Sequence, residues 1–294
     1  MATGHRYTLI VTSLWQSLVS TTERATRMGA LVSVPTRSEI VEECGIPFVV
    51  HISALQNRKT SGSGPAESDH AFNPFLPPDP DLFVSELPPG HIGVLNKFNV
   101  IRHHLLIVTR TFEAQDLLLT PGDFVAMLTC MTEIDGLGFY NGGTVAGASQ
   151  THKHLQLVPL PLGSGPRPTP LDSVIDDPLP VGEPTRIPAF DFRHAVIPLD
   201  GSRLGPQDSA ELHGLYRRAC AAVEVHDETQ PYNMLVTRRW MLLVPRSREH
   251  WHGVSLNALA FAGSLLVRNR TELERIEMVG PLAVLKSVVE EDRP

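Results

Sequence analysis

Residues 141–159 constrain the chain most, because a glycine-rich loop there runs directly into a strand-like alternation. Residues 141–150 hold three glycines among small residues, so their backbone can approach a ligand closely and offer amide groups. Residues 152–158 read H-K-H-L-Q-L-V, which has the periodicity of a strand. Residues two apart in a strand share a face, so His152, His154 and Gln156 are expected on one side.

A histidine pair with this spacing has three common explanations: solvated surface residues, metal ligands or a catalytic pair. Zinc usually needs a third protein ligand. The candidates His103, His104, Cys130 and His194 are not spaced as a motif, so no metal site is predicted. Gln156 is a poor zinc ligand but a good donor to a phosphate oxygen. The combination favours an anionic substrate and nucleophilic chemistry.

Neutral imidazole is a nucleophile, and with an ordinary pKa of about 6.5 most of it is neutral at pH 7. Attack on a phosphoryl group would divide one difficult displacement into two easier ones through a covalent phospho-imidazole. Asn141, Ser149, Gln156 and the loop amides could spread the charge of the phosphate oxygens over fixed donors. Lys97 would add a point charge.

Composition restricts the class of protein. With 294 residues and a net charge of −7, the chain does not suggest a nucleic-acid-binding surface, so any phosphate site would be local. No stretch approaches a membrane span, and the N-terminal apolar run is too short for a signal peptide. Three separated cysteines fit a reducing compartment. We expect a cytoplasmic protein without nucleic-acid or membrane partners, and we favour a monomer.

The apolar periodicity predicts a mixed α+β protein. Strands are expected at 48–52, 94–98, 104–109, 152–158, 190–199, 234–236 and 240–244. Helices are expected within 8–31, after an N-cap at Thr120, after a capping box formed by Asp208 and Glu211, at 256–267 and at 282–289. Residues 56–89, with their Ser-Gly repeats and prolines, are expected to form a long surface loop.

The proline- and glycine-rich residues 166–188 predict a linker. It would separate an N-terminal region, 1–165, from a C-terminal lobe, 189–294.

Three segments together resemble the ATP adenylyltransferases, also called diadenosine tetraphosphate phosphorylases, of the histidine-triad superfamily. Residues 73–115 contain N-P-F-L-P-P, V-L-N-K-F, H-L-L-I-V-T and F-E-A-Q; residues 141–156 contain N-G-G, G-A-S-Q and H-K-H-L-Q; residues 231–263 contain P-Y-N and W-M-L-L-V-P-R-S. The resemblance implies a histidine-triad-like α+β fold, with a mostly antiparallel sheet flanked by helices and a C-terminal ATP adenylyltransferase lobe.

The resemblance also implies roles for individual residues. His154, the second histidine of H-x-H-x-Q, would be the nucleophile that takes up AMP, and Gln156 marks a transferase rather than a simple hydrolase. His152 would position the strand or contact the phosphates. The remaining implied contacts to the phosphates are Lys97, Asn141, Gly147, Ala148, Ser149, Gln150 and Lys286.

The implied reaction is the reversible phosphorolysis of diadenosine 5',5'''-tetraphosphate to ATP and ADP through a nucleotidyl-His154 intermediate. The implied partners are therefore a dinucleoside polyphosphate, ATP, ADP and phosphate. Activity on adenylyl sulfate is also known in the family. The sequence shows no carboxylate cluster, so a divalent cation, with magnesium the first choice, would be carried by the substrate.

Three alternatives remain open. A hexose-1-phosphate nucleotidylyltransferase shares H-x-H-x-Q, but its metal-binding Cys/His pairs are absent and Lys153 stands where those enzymes tend to have proline. A non-catalytic diadenosine-polyphosphate-binding protein would need the same residues without turnover. A metal-binding module would need a third ligand.

Several residues have competing structural explanations. Lys97 could be a solvated sheet-edge lysine, and Trp240 is expected in the core rather than beneath an adenine. Arg246 fits a structural surface position as well as a substrate contact. His103 and His104 cannot both face inward on one strand, so one of them is expected in the core.

Overall fold

The computed structural model describes residues 12–54, 73–175, 180–201 and 204–289. In chain order the strands are Thr36–Glu43 (β1), Ile46–Ser53 (β2), Phe83–Leu87 (β3), His91–Leu95 (β4), Leu105–Thr109 (β5), Gly136–Gly142 (β6), His154–Pro159 (β7), Ala195–Pro198 (β8), Tyr232–Val236 (β9), Trp240–Pro245 (β10), His250–Trp251 (β11), Val254–Ser255 (β12) and Ser264–Val267 (β13). The helices are Leu14–Met28 (α1), Pro121–Met131 (α2), Ser209–Ala222 (α3), Ala258–Phe261 (α4), Arg270–Val279 (α5) and Pro281–Lys286 (α6).

The central element is an eight-stranded sheet in the order β3-β4-β5-β7-β6-β9-β10-β8, in which every neighbouring pair is antiparallel. A smaller sheet in the order β1-β2-β13 contains one parallel pair, between β13 and β2. The predicted α+β class, with a largely antiparallel sheet flanked by helices, is confirmed.

Helices α1, α2 and α3 cover one face of the large sheet. Leu155 and Leu157 of β7 point to this face and join the same apolar cluster as Phe124 of α2 and Tyr216 of α3. Lys153 points the same way and contacts Asp123 of α2. The predicted alternation is therefore correct, because the residues between these three face the opposite side.

The opposite face is covered unevenly. Strands β6 and β8–β10 bury their apolar side chains against the small sheet and helices α4, α5 and α6. On this face, β4 and β5 contribute Ile92, Val94, Leu106 and Val108 to a small cluster that also contains Phe75. His154 pairs with Val108, and Gln156 with Leu106, so both lie where the two coverings meet.

One predicted loop and one predicted helix are wrong in detail. Residues 83–87 form strand β3 inside the stretch expected to be a loop. Residues 256–267 do not form one helix: α4 stops at Phe261, Gly263 takes a left-handed φ of 91°, and β13 follows. A short apolar run fits a helix or a strand equally well, and a left-handed glycine ends the helix here.

Helix α3 begins without the predicted capping box. The Asp208 side chain instead accepts a hydrogen bond from the Gly205 amide, at 2.9 Å, and closes the short turn that precedes the helix. Helix α2 does begin as predicted, with the Thr120 and Asp123 side chains each accepting the other's backbone N–H.

The N-terminal helix is present as α1, with residues 8–11 of its predicted range outside the described residues. Half of the predicted loop, residues 56–72, also lies outside them. The division at residues 166–188 remains a prediction. Within the described chain, no helix is long and apolar enough to cross a membrane.

Candidate active site

The large sheet splits beside the second histidine. Pairing between β6 and β7 ends at Phe139 and Gln156, two residues before it would reach Asn141 and His154. The side-chain amide of Gln115 occupies the gap. Its Nε2 donates to the carbonyl oxygens of Asn141, at 2.8 Å, and His154, at 3.2 Å, and its Oε1 accepts from the His154 amide at 2.8 Å. Gln115 therefore takes the place of the missing strand pairing and fixes both the amide and the carbonyl of His154.

Gln115 is itself held firmly. Its amide donates to the Thr151 carbonyl, at 2.9 Å, and its carbonyl accepts from the Gly143 amide, at 3.1 Å, and from the Tyr140 hydroxyl. The side chain is 3% exposed. A buried, fully bonded amide of this kind sets a single backbone geometry, because any other would leave polar groups unpaired.

The imidazole of His154 presents one free nitrogen. Its Nδ1 lies 2.8 Å from the carbonyl oxygen of His152, so Nδ1 carries the proton and Nε2 has the lone pair. No group in the described part of the chain bonds to Nε2. The Phe75 ring packs against the His154 ring, with 5.5 Å between the two ring centroids. Burial lowers the pKa of His154 to about 4, despite the opposing hydrogen bond to His152, so the ring is neutral at physiological pH.

The lowered pKa predicts the pH dependence of the first chemical step. Protonation removes the Nε2 lone pair, so the rate of attack by His154 should stay constant from pH 8 down to roughly pH 5 and then fall as pH approaches 4. Single-turnover measurements with a dinucleoside polyphosphate and no added phosphate report this step alone. An acid limb centred near the ordinary imidazole pKa of about 6.5 would contradict the buried geometry.

His152 is occupied by protein groups at both ring nitrogens. Its Nε2 donates to the Thr109 carbonyl at 2.8 Å, and its Nδ1 accepts from the Asn73 amide at 3.0 Å. Phe75 and Phe112 pack on the ring at 5.7 and 5.4 Å. Of the two roles expected for His152, positioning of the strand agrees with these contacts, and its carbonyl also orients His154.

Gln156 has one bonded and one open end. Its Oε1 accepts from His104 Nε2 at 2.8 Å. Its Nε2 has no partner among the described residues, although the residue is only 8% exposed. Asn141 shows the same arrangement: its Oδ1 accepts from Asn233 Nδ2, at 2.9 Å, and from the Ala258 amide, at 3.0 Å. Its Nδ2 is left without a partner in the described segments, so both side chains keep donors for a ligand.

The glycine-rich loop is shaped by its own hydrogen bonds. Gly147 has a φ of 91°, and a Cβ there would lie 2.8 Å from the Leu256 carbonyl oxygen, so only glycine fits. The amides of Gly147 and Ala148 donate to the carbonyls of Thr144 and Gly143. The two following amides, of Ser149 and Gln150, have no acceptor in the described ranges.

Arg246 is buried rather than at the surface, and its guanidinium is saturated. All five of its N–H groups meet oxygen acceptors, none of them a carboxylate. The acceptors are the carbonyls of Ala146, Arg248, Glu249 and Val288 and the Oδ1 of Asn233. Burial lowers the pKa of Arg246 to about 10, which still leaves it charged. The contacts tie the glycine-rich loop to the C-terminal helices and leave no N–H for a substrate.

The two candidate lysines lie at the surface. Lys97 is exposed, with its Nζ 6.0 Å from the Phe98 ring centroid. The ammonium of Lys286 contacts Asp191 Oδ2 at 2.8 Å, so it would have to exchange that partner to reach a phosphate. Trp240 is fully buried and donates to Asp172, which confirms its place in the core.

Residues 12–54, 73–175, 180–201 and 204–289 contain no group of three or more His, Cys, Asp or Glu side chains placed to hold a metal. His194, one candidate third ligand, uses both ring nitrogens, for the Ile187 amide and the Phe192 carbonyl.

Residues 5–177 match the sequence profile of the Ap4A phosphorylase N-terminal domain, which covers more than half of the chain. The chain belongs to the Ap4A phosphorylase family. Residues 188–290 match the ATP adenylyltransferase C-terminal domain, so the family proposed from sequence is confirmed.

Two proteins of Saccharomyces cerevisiae are similar in sequence. Diadenosine 5',5'''-P1,P4-tetraphosphate phosphorylase 2 is 32% identical over 70% of this chain and 72% of its own length. Protein APA1 is 25% identical over 79% of this chain and 78% of its own.

Solved structures of a family member have the same fold. The crystal structure of yeast Ap4A phosphorylase Apa2 superimposes with a TM-score of 0.77 at 25% identity, covering 96% of this chain and 95% of that one. The same enzyme in complex with Ap4A gives a TM-score of 0.75 and covers 96% and 99%. The expected histidine-triad-like fold is thereby confirmed.

Two residues of this family site were not assigned to it from sequence. Both lie in segments that carry the family resemblance, but their roles depend on tertiary contacts with β7 that the local sequence does not show. Gln115 lies 39 positions from His154 in the chain, and His104 lies 52 from Gln156.

Proposed function

We propose that this chain phosphorolyses diadenosine tetraphosphate to ATP and ADP, reversibly, through an adenylylated His154. The observation that carries the proposal is the free, neutral Nε2 of His154 beside the open amide of Gln156. The family, and the yeast relatives named as phosphorylases, support it. So does the fold shared with a phosphorylase crystallised in complex with Ap4A.

In the first step, the lone pair of His154 Nε2 attacks the α-phosphorus of one adenosine. A nitrogen–phosphorus bond forms and the α–β anhydride bond breaks, so ATP leaves with the electron pair. The imidazole becomes positively charged, and the hydrogen bond from its Nδ1 to the His152 carbonyl stabilises that charge. Splitting the displacement in this way divides one difficult displacement into two easier ones.

In the second step, an oxygen of inorganic phosphate attacks the same phosphorus. The nitrogen–phosphorus bond breaks, Nε2 recovers its lone pair and ADP forms. The open donors of Gln156 and Asn141 would hold the phosphoryl oxygens in both steps, and fixed donors need no reorganisation as charge develops. The amides of Ser149 and Gln150 are the loop groups still free to join them.

The predicted roles of Lys97 and Lys286 at the outer phosphates, and of Gly147 and Ala148 in the loop, remain proposals. Gly147 and Ala148 would contribute by shaping the loop, because their amides are already bonded within it. Magnesium would be held by the oxygens of the polyphosphate itself, the donors that this ion prefers. Cytoplasmic residence is proposed from the three free cysteines, of which Cys44 is exposed.

Product analysis tests the proposal. Incubation with diadenosine tetraphosphate and radiolabelled inorganic phosphate should yield ATP and ADP in equal amounts, with the label in ADP. ATP with AMP would indicate hydrolysis, and would contradict phosphorolysis. Binding without any product would favour the non-catalytic alternative, and activity only with hexose 1-phosphates would favour the other transferase class.

A further inference from the structure

We propose that His104 is a positioning residue for the transfer: it fixes the amide of Gln156 with its nitrogen turned towards the reacting phosphoryl group. The inference rests on the proposed function, and it concerns a residue that the sequence did not assign to the site. It is drawn from a linear chain of three side chains that ends at the open donor of Gln156.

This row of hydrogen-bonded side chains begins at Asn96, just beyond the end of β4. Its Nδ2 lies 3.2 Å from His104 Nδ1, and His104 Nε2 lies 2.8 Å from Gln156 Oε1. An amide nitrogen can only donate, so His104 Nδ1 accepts and Nε2 carries the proton. His104 then donates to Gln156 Oε1. Each link has a single direction, and the last leaves the two N–H groups of Gln156 unused.

Burial makes this direction persistent. His104 is 7% exposed, and burial lowers its pKa to about 4, so the ring is neutral and has one proton to place. The Phe139 ring packs against it at a centroid distance of 5.8 Å. Reversing the Gln156 amide would set its N–H groups against the His104 N–H, and would leave a buried donor unpaired.

The consequence concerns the charge of the transferred group. A correctly turned Gln156 offers N–H groups to the phosphoryl oxygens, whereas a reversed one offers a carbonyl oxygen that repels them. A glutamine without His104 would sample both orientations, because its terminal torsion is broad and two-fold. His104 thus acts before the reaction, by removing the orientation that does not support transfer.

The test is a double-mutant cycle on the first step, measured as the rate of ATP release from diadenosine tetraphosphate in a single turnover without phosphate. His104→Leu has a similar side-chain volume but cannot donate a hydrogen bond to Gln156. It should slow this step by roughly 10- to 100-fold, with a small change in substrate affinity. His104→Gln can still donate to Gln156 and should recover at least part of the rate. Gln156→Ala should be at least as slow as His104→Leu.

The decisive comparison is the double variant. If His104 acts only through Gln156, His104→Leu with Gln156→Ala should be no slower than Gln156→Ala alone, within about two-fold. Multiplied effects in the double variant would overturn the inference, as would a folded His104→Leu with the wild-type rate. If His104→Leu does not fold, the same cycle is run with His104→Asn, which is too short to reach Gln156.

The neighbouring histidine provides the matched control. His103 contacts helix α1 instead of β7, with its Nδ1 3.0 Å from Thr22 Oγ1 and its ring against Trp15, so His103→Leu should leave the rate unchanged. The wild-type measurement separates this inference from the proposed function. If wild type releases no ATP, the proposed function is wrong. If wild type releases ATP normally and His104→Leu releases it at the same rate, only the role of His104 is wrong.

Discussion

Replacing His154 with alanine is expected to lower kcat/KM for diadenosine tetraphosphate by at least about 10⁴-fold, because no other described group can supply the attacking lone pair. His154 is the one ring of the H-x-H pair with a free nitrogen, since both nitrogens of His152 are bonded to the protein. The measurement is the initial rate of ATP formation with saturating phosphate.

Two variants make this result specific. His154→Gly opens a space of imidazole size, so added imidazole should restore part of the first step by serving as the nucleophile. His226→Ala removes an exposed histidine far along the chain and should retain wild-type activity. A folded His154→Ala protein that turns over at more than about one per cent of the wild-type rate would rule out His154 as the nucleophile.

The second large effect is on stability. Asp123→Ala should lower the free energy of unfolding by about 3–5 kcal/mol, because it leaves the buried ammonium of Lys153 without its nearest carboxylate. Lys153 is fully buried, and its Nζ lies 2.7 Å from Asp123 Oδ2, whereas its other carboxylate partner, Glu113, is partly exposed at 3.2 Å. Asp123 also accepts from His91 at 2.9 Å and caps helix α2.

Denaturant unfolding measures this loss, and Glu211→Ala, an exposed acid in the first turn of α3, should change the free energy by no more than about 0.5 kcal/mol. The double variant Asp123→Leu with Lys153→Met should be more stable than Asp123→Ala, since it removes both charges together. A loss below about 1 kcal/mol in Asp123→Ala would show that water reaches the ammonium of Lys153.

The same carboxylate predicts how stability responds to acid. Burial alone would raise the pKa of Asp123, but the hydrogen bond from His91 and the charge of Lys153 outweigh it and lower the pKa from 3.8 to about 2. A carboxylate whose pKa is lowered by folding stabilises the folded state at any pH above its pKa in the unfolded chain. This stabilisation is lost as the pH falls through its pKa in the folded protein. Between pH 4 and pH 2, the free energy of unfolding should therefore fall by about 2 kcal/mol more in wild type than in Asp123→Ala.

The predictions from sequence were most accurate where structure depends on neighbours in the chain. The alternation at residues 152–158 placed His154 and Gln156 on one face, and the Thr120 cap placed the start of α2. Helix α5 carried an equally local signal that was overlooked: Asn269 caps it by accepting from the Glu272 amide. The prediction of one helix at residues 256–267 was wrong, because a short apolar run is compatible with a helix or a strand.

The roles of the groups that position the site are not predictable from the sequence, although Gln115 and His104 lie in segments that carry the family resemblance. Gln115 fills a split between two strands, and His104 orients a side chain on another strand, so both roles exist only after the sheet forms. Arg246 had been assigned equally to the surface or to the substrate. Its five acceptors come from four separate parts of the chain, a convergence that no local pattern encodes.

The most direct test is the identity of the covalent species. Wild-type protein is incubated with diadenosine tetraphosphate without phosphate, quenched under basic conditions that preserve a phosphorus–nitrogen bond, and analysed by intact mass and peptide mapping. We expect one adenylyl group per chain, on His154, which added phosphate removes as ADP. Adenylylation of a different residue, or turnover with no adduct at any time, would contradict it.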